Sequence, residues 1–141
     1  MTEVNKFVDR RTEEERRNGL ATQILFWYDD DVKKSWRDKN GQKQFRRRTN
    51  GITVNAAGNL IVARSTCSRM DQFVRAMGRL KVASRIFGNA KNHCWTLVVD
   101  LTVDDLPTAF AAVYADTFPN DEIGAKRAYN IGKVFARSRS N

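Results

Sequence analysis

Residues 32–67, VKKSWRDKNGQKQFRRRTNGITVNAAGNLIVARSTC, decide the fold. Three turn signals punctuate this stretch: Asn40-Gly41, Asn50-Gly51 and Gly58-Asn59. An Asn-Gly pair suits a two-residue type I′ hairpin, because both central positions need positive φ. The stretch therefore reads as an antiparallel β-meander with strands near 32–39, 42–49, 52–56 and 59–67. The first turn sets a register with Trp36 opposite Phe45, and an aromatic cross-strand pair of this kind supports a sheet. Asn50-Gly51 has a second reading, a bulge inside one longer strand. The meander then has three strands instead of four.

Upstream, residues 8–28 begin polar (RRTEEERR) and end apolar (LATQILFWY), which predicts a helix. Thr12 and Glu15 have capping-box spacing and offer an alternative start. The acids Asp29, Asp30 and Asp31 oppose the dipole at a helix C-terminus, so the helix is expected to stop before them. Downstream, Ser68 and Asp71 again have capping-box spacing, and a helix is expected from Ser68 to about Gly88. Met70, Phe73, Met77, Leu80 and Phe87 fall on one face of that helix, with Arg75 and Arg79 opposite and Lys81 and Arg85 flanking them.

His93–Leu101 reads as a strand whose Leu97-Val98-Val99 run suggests burial on both faces. Asp105 is placed to cap a helix from Leu106 to Phe118, with Pro107 tolerated in its first turn. Asp121 is placed to cap a last helix to about Arg137. Gly124, Ala128 and Gly132 recur every fourth residue and would admit another backbone closely, which suggests a homo-oligomer formed through the C-terminal helices. The whole is one α+β domain over residues 1–141: an antiparallel meander of three to four strands packed with helices, plus two C-terminal helices.

Composition bounds the function. A hydrophobic content of 41% fits a globular fold. No apolar run is long enough to cross a membrane. The opening MTEVNKFVDRR lacks the apolar core of a secretory signal. Two cysteines, Cys67 and Cys94, form no disulfide framework, so a reducing cytoplasm is the expected setting.

Charge is more informative. The net +9 is unevenly spread, with 15 basic and 2 acidic residues in 32–94 but 6 acidic and no basic residues in 95–125. A block of one sign attracts phosphate and speeds association. Arg46, Arg47 and Arg48 are its sharpest feature. On a strand, Arg47 would share a face with Phe45 and Trp36, placing guanidinium groups beside aromatic rings suited to base stacking. Lys43, Arg75, Arg79 and Arg85 extend the candidate anion-binding surface. The plainer alternative is a solvated edge strand and an ordinary soluble helix face.

Other chemistry has less support. Asp29–Asp31 with Asp104 and Asp105 are candidate divalent-metal ligands for phosphodiester hydrolysis, but no Lys or His is placed beside them. His93, Cys94 and Cys67 have no recognised zinc spacing. Neither GxxxxGK[ST] nor GxGxxG occurs. No metal, cofactor or catalytic group is expected.

The segment from Gly58-Asn59-Leu60 to Arg85, with Ala63, Cys67-Ser68, Asp71, Phe73, Gly78-Arg79 and Ala83, resembles a pattern in short uncharacterised proteins of tailed phages. In those proteins a strand runs into C-S-x-x-D-x-F-x-x-x-x-G-R. The likeness covers about a fifth of the chain. It implies a viral accessory protein acting in the host cytoplasm. The helix–three-strand–helix order of residues 8–87 also resembles a double-stranded-RNA-binding domain, but Ser68-Arg69-Met70-Asp71 stands where that family has a basic helix start. Together these readings lead to a non-enzymatic nucleic-acid-binding protein. The alternative is an inhibitor that meets an acidic host protein (for counter-defence or polymerase inhibition) or an oligomeric sponge for an anionic nucleotide.

Overall fold

The computed structural model describes residues 23–55, 57–87 and 94–139. Four antiparallel strands form one sheet in the order β1-β2-β3-β4: β1 Leu25–Arg37, β2 Lys43–Val54, β3 Leu60–Thr66 and β4 Cys94–Leu97. Helix α1 (Arg75–Phe87) lies between β3 and β4 in the chain, and α2 (Leu106–Thr117) and α3 (Glu122–Arg139) close it. The fold is α+β, with the meander and the two C-terminal helices expected from the sequence.

Two hairpins share one turn chemistry. Asp38 and Asn55 each donate N–H to a carbonyl four residues on (Gln42 and Asn59) at 3.0 Å, and each accepts from the glycine three residues on at 2.9 Å. Among the described loop residues only that glycine is left-handed: Gly41 has φ 79° and Gly58 has φ 87°. Each loop therefore holds three residues rather than two, as in a type I turn followed by a left-handed bulge residue. The Asp38 carboxylate reinforces the first turn, accepting from the backbone N–H groups of Asn40 and Gln42 at 2.9 Å. The extra loop residue moves the register by one, so Trp36 pairs with Gln44 and Ser35 with Phe45. Trp36 thus shares a face with Arg46, not with Phe45 and Arg47 as the two-residue turn predicts.

Asn50-Gly51 makes no turn. It lies inside the single strand β2, in continuous register with Trp27 and Phe26. The glycine is needed for close approach, since a Cβ there would stand 2.6 Å from Val82 of α1 and 2.9 Å from Ile24.

Three further expectations are corrected. Leu25–Tyr28 is strand, not helix, and Asp29–Asp31 continue it as β1; Gln23 and Ile24 are not helical either, and residues 8–22 of the predicted N-terminal helix lie outside the described residues. The second helix starts at Arg75 instead of Ser68. Ser68 closes one local turn, accepting from Met70 N–H at its hydroxyl and from Asp71 N–H at its carbonyl. Phe73 is then held edge-on against Tyr28 of β1, with ring centroids 6.0 Å apart. Met70 is consequently 86% exposed, and the buried face of α1 is Gly78, Val82, Ala83 and Ser84. Finally, β4 ends at Leu97, and Val98 is 76% exposed rather than buried.

Strand alternation separates two packed faces. Thr49 and Gly51 face α1. Trp27, Ile52, Val54, Leu60 and Val62 join Leu106, Phe110, Tyr114, Ala128 and Ile131 in the core under α2 and α3. Asp105 caps α2 through the backbone N–H and hydroxyl of Thr108, and Asp121 caps α3 through Gly124 N–H at 2.9 Å.

The small-residue face of α3 is used within the chain. Ala128 is fully buried, a Cβ at Gly124 would meet Tyr114, and one at Gly132 would lie 2.6 Å from Pro107 Cα and 2.9 Å from the Leu106 carbonyl. That face is therefore closed to self-assembly. Gly132→Ala tests the closeness. Alanine gains about 1 kcal/mol in helix propensity, whereas overpacking against backbone that cannot rotate away costs about 1–3 kcal/mol. A net loss of stability in urea unfolding is expected.

Candidate nucleic-acid interface

The arginine run faces a carboxylate run. Arg48, Arg47 and Arg46 of β2 lie opposite Asp29, Asp30 and Asp31 of β1. Arg48 grips Asp29 with two hydrogen bonds, Nε to Oδ1 at 2.8 Å and Nη2 to Oδ2 at 2.5 Å. Arg47 Nη1 meets Asp30 Oδ1 at 3.0 Å. Arg46 donates from Nε to the Cys67 carbonyl at 2.8 Å. Two of the three guanidinium groups singled out by the sequence are thus matched internally. Read as a helix end, Asp29–Asp31 give no sign of this long-range pairing with the arginines. The visible signal was a three-acid run and a three-arginine run flanking one hairpin.

Asp29 anchors a polar network inward. Asn50 Nδ2 donates to Asp29 at 3.0 Å, and Arg64 Nε donates to Asn50 Oδ1 at 2.6 Å. The Arg64 guanidinium lies over the rings of Trp95 and Phe118, at 5.6 and 5.2 Å. Burial, followed by repulsion from Arg48, lowers its proton affinity. Burial alone would raise the Asp29 carboxyl, but hydrogen bonds from Arg48 and Asn50 outweigh it and hold the group below the usual carboxylate value.

A depressed folded pKa adds stability that is present above the unfolded value and lost as pH falls through the folded one. The protein should therefore keep its thermal midpoint down to about pH 5 and lose stability below about pH 4. Asp29→Asn should flatten part of that acid limb, and an unchanged limb in the variant would contradict this assignment.

Beyond the arginines, β1 and β2 continue without β3. The β2–β3 register ends at Arg48↔Thr66, with one further bond from Cys67 N–H to the Arg47 carbonyl. Among the described residues what continues is a two-stranded ribbon closed by the turn at Gly41. Between Asp31 and Ser35 the register jumps, so Val32, Lys33 and Lys34 bulge from β1 with no partner in β2. Residues 32–46 hold six cations (Lys33, Lys34, Arg37, Lys39, Lys43 and Arg46) and one acid, Asp38, whose oxygens are taken up by the turn and by Gln44. Among the described residues none of these six cations is ion-paired; the two ion pairs are those of Arg47 and Arg48. All but Arg46 are exposed.

The aromatic residues are not bare platforms. Trp36 is half-buried beneath Arg69, whose guanidinium carbon is 4.9 Å from the ring, and Phe45 lies under Lys43 at 5.5 Å. Each ring supports a cation near the surface.

The helical cations split. Arg75 lies over the Tyr28 ring at 4.6 Å, and Arg79 Nη1 donates to the Tyr28 hydroxyl at 2.9 Å. Phe73, which touches Tyr28, carries Arg47 at 5.5 Å. Arg47, Arg75 and Arg79 therefore gather around one aromatic pair at the base of the ribbon. Arg85 does not join them. It donates to the Arg64 carbonyl, and burial lowers its proton affinity.

Asp29 and Asp30 are occupied by arginines, and among the described residues no three His, Cys, Asp or Glu side chains come together as a metal site. His93 lies outside the described residues. No described helix is long and apolar enough to cross a membrane. No protein-family model, curated protein or solved structure matches the chain.

Proposed function

We propose that the protein binds nucleic acid, and duplex DNA in particular, by laying the β1–β2 ribbon in the major groove. The observation that carries this reading is the unmatched charge of the ribbon: six cations on a two-stranded arm with no carboxylate partner among the described residues. The major groove of B-DNA admits a two-stranded ribbon, whereas that of A-form RNA is too narrow and deep. Three register pairs separate the bulge from the turn, about 10 Å at roughly 3.4 Å per residue, which matches the groove depth of about 8.5 Å. Arg47, Arg75 and Arg79 lie at the ribbon's base, where flanking phosphates would pass, and Arg69 lies over Trp36 on the ribbon itself.

This differs from a sheet face led by Arg46, Arg47 and Arg48. Arg48 serves the fold, Arg46 and Arg47 mark the start of the interface, and the lysines of the bulge and turn carry most of it. The phage resemblance suggests a viral setting but adds nothing to the chemistry. Titrating a labelled blunt DNA duplex across a salt series tests the reading. Six phosphate contacts predict a slope of about −5 in log K against log salt. A flat response, or tighter binding to duplex RNA than to DNA, contradicts it.

A further inference from the structure

The sheet face toward α1 is not fully packed. A cavity of about 350 Å³ lies between β2, β3, α1 and the loop that precedes the helix, in a size range that holds small ligands (roughly 300–1,000 Å³). Its outer wall is apolar, formed by Phe73, Val74 and Met77, and the exposure of Val74 and Met77 shows where it meets solvent. Its inner wall holds Thr49, Ser65 and Cys67. Thr49 is 1% exposed, and its Oγ1 is buried without a hydrogen-bond partner among the described residues. An unsatisfied buried hydroxyl costs about 1–3 kcal/mol, and native structures rarely keep one without a reason. Gly78 packs directly on this hydroxyl, since a Cβ there would fall 2.1 Å from it, so a ligand in the cavity reaches the hydroxyl only where α1 gives way at Gly78.

We infer that this cavity receives one unpaired nucleobase. A base is planar, with donors and acceptors along its edge and apolar faces. Thr49 and Ser65 supply hydroxyls that both donate and accept. Phe73 supplies an aromatic wall and Met77 a thioether, which packs well against rings. Lys81 lines the same cavity together with Asp71, and Arg47, paired with Asp30, stands over Phe73, so the phosphate attached to the base would meet Lys81 and Arg47 with one carboxylate of the lining beside them. The ring can come from a free nucleotide or from a base extruded from a strand. The inference stands on the cavity itself and does not require the ribbon to bind DNA.

Cys67 reports occupancy because it lines the cavity, and Cys94, half-buried on β4, serves as the internal control. The experiment measures alkylation of both thiols in the full-length protein, with each of the four nucleoside 5′-monophosphates at millimolar concentration, with a single-stranded DNA oligonucleotide, and with ribose 5-phosphate. Slowing at Cys67 but not Cys94 by at least one base-bearing probe, and not by ribose 5-phosphate, is expected. Protection by the monophosphates identifies a nucleotide site, and protection by the oligonucleotide alone identifies an extruded base.

Thr49→Val should weaken that protection about three- to tenfold, the equivalent of one hydrogen bond, while leaving the thermal midpoint unchanged or higher. No slowing with any base-bearing probe, equal slowing by ribose 5-phosphate, or full protection in Thr49→Val overturns the inference. If duplex binding fails but the monophosphates protect Cys67, this inference survives without the ribbon. If duplex binds and Cys67 stays unprotected, the ribbon survives without this inference.

Discussion

Replacing Lys33, Lys34, Arg37, Lys39 and Lys43 together by glutamine should abolish duplex binding while leaving the protein folded. Each cation that releases a condensed counterion contributes about 0.9 log unit per decade of salt, so losing five weakens binding by about 10⁴-fold at 0.1 M salt and flattens the slope by about 4.5. The fold should tolerate the change, because all five side chains are exposed and none is ion-paired among the described residues. Exposed substitutions of this kind usually move stability by no more than about 0.5 kcal/mol each. The chain remains cationic, falling from +9 to +4, so a collapse of affinity would localise binding to the ribbon instead of to net charge.

Arg48→Gln is the contrasting variant. It strands the partly buried Asp29 carboxylate and should lower stability with little effect on the salt slope, since its charge is already matched. If the fivefold variant keeps its affinity and Arg48→Gln loses it, the interface is the sheet face and not the ribbon.

Local chemistry was legible where one residue dictates one conformation. The places of the turns at Gly41 and Gly58 and the caps Asp105 and Asp121 follow from short-range rules. What failed depended on partners distant in sequence. Asn50-Gly51 carries a strong hairpin signal, yet Asn50 is drawn into a buried network with Asp29 and Arg64, and Gly51 is required by Val82. Residues 25–31 (LFWYDDD) lack a clear period, and only their pairing with β2 shows that the acids belong to a strand.

The helix after Ser68 starts late because a tertiary contact, Phe73 on Tyr28, competes with a sound local cap. The charge block was visible from composition, but its division into matched and unmatched cations was not, because that division depends on a register that slips by one at the turn and by three at the bulge. The cavity at Thr49 had no sequence signal, since an unpartnered hydroxyl is defined only by what surrounds it.

The largest effect on stability is expected at Tyr114. Its side chain is fully buried, and its ring meets Trp27 edge-on at 6.0 Å and Phe118 at 4.9 Å. It thereby joins α2 to β1 and to the start of the loop leading to α3. Trp27 is itself buried, and among the described residues its indole nitrogen has no hydrogen-bond partner. The Tyr114 hydroxyl donates to Asp121 Oδ2 at 2.6 Å, while the other oxygen of Asp121 caps α3. Gly124 provides the space this requires, because a Cβ there would lie 2.1 Å from the hydroxyl oxygen.

Tyr114→Ala removes the ring, the aromatic contacts and one partner of Asp121. Truncating a buried aromatic side chain costs about 3–5 kcal/mol, a large part of the roughly 5–15 kcal/mol that a domain possesses. The melting temperature should fall on the order of 15 °C. Tyr114→Phe keeps the rings and loses only the hydroxyl bond, so about 1–2 kcal/mol is expected.

Alkaline pH provides a separate check. Burial, and then the Asp121 carboxylate, raise the phenol's proton affinity above its ordinary value. A raised folded pKa gives stability that is whole below the unfolded value, about pH 10, and is lost as pH climbs past it. Wild type should therefore weaken above that point more steeply than Tyr114→Phe, which has no phenol to ionise. Equal alkaline limbs in the two proteins, or an alanine variant within 1 kcal/mol of wild type by urea unfolding (a difference of about fivefold in the folding constant), would show that the core does not turn on this residue.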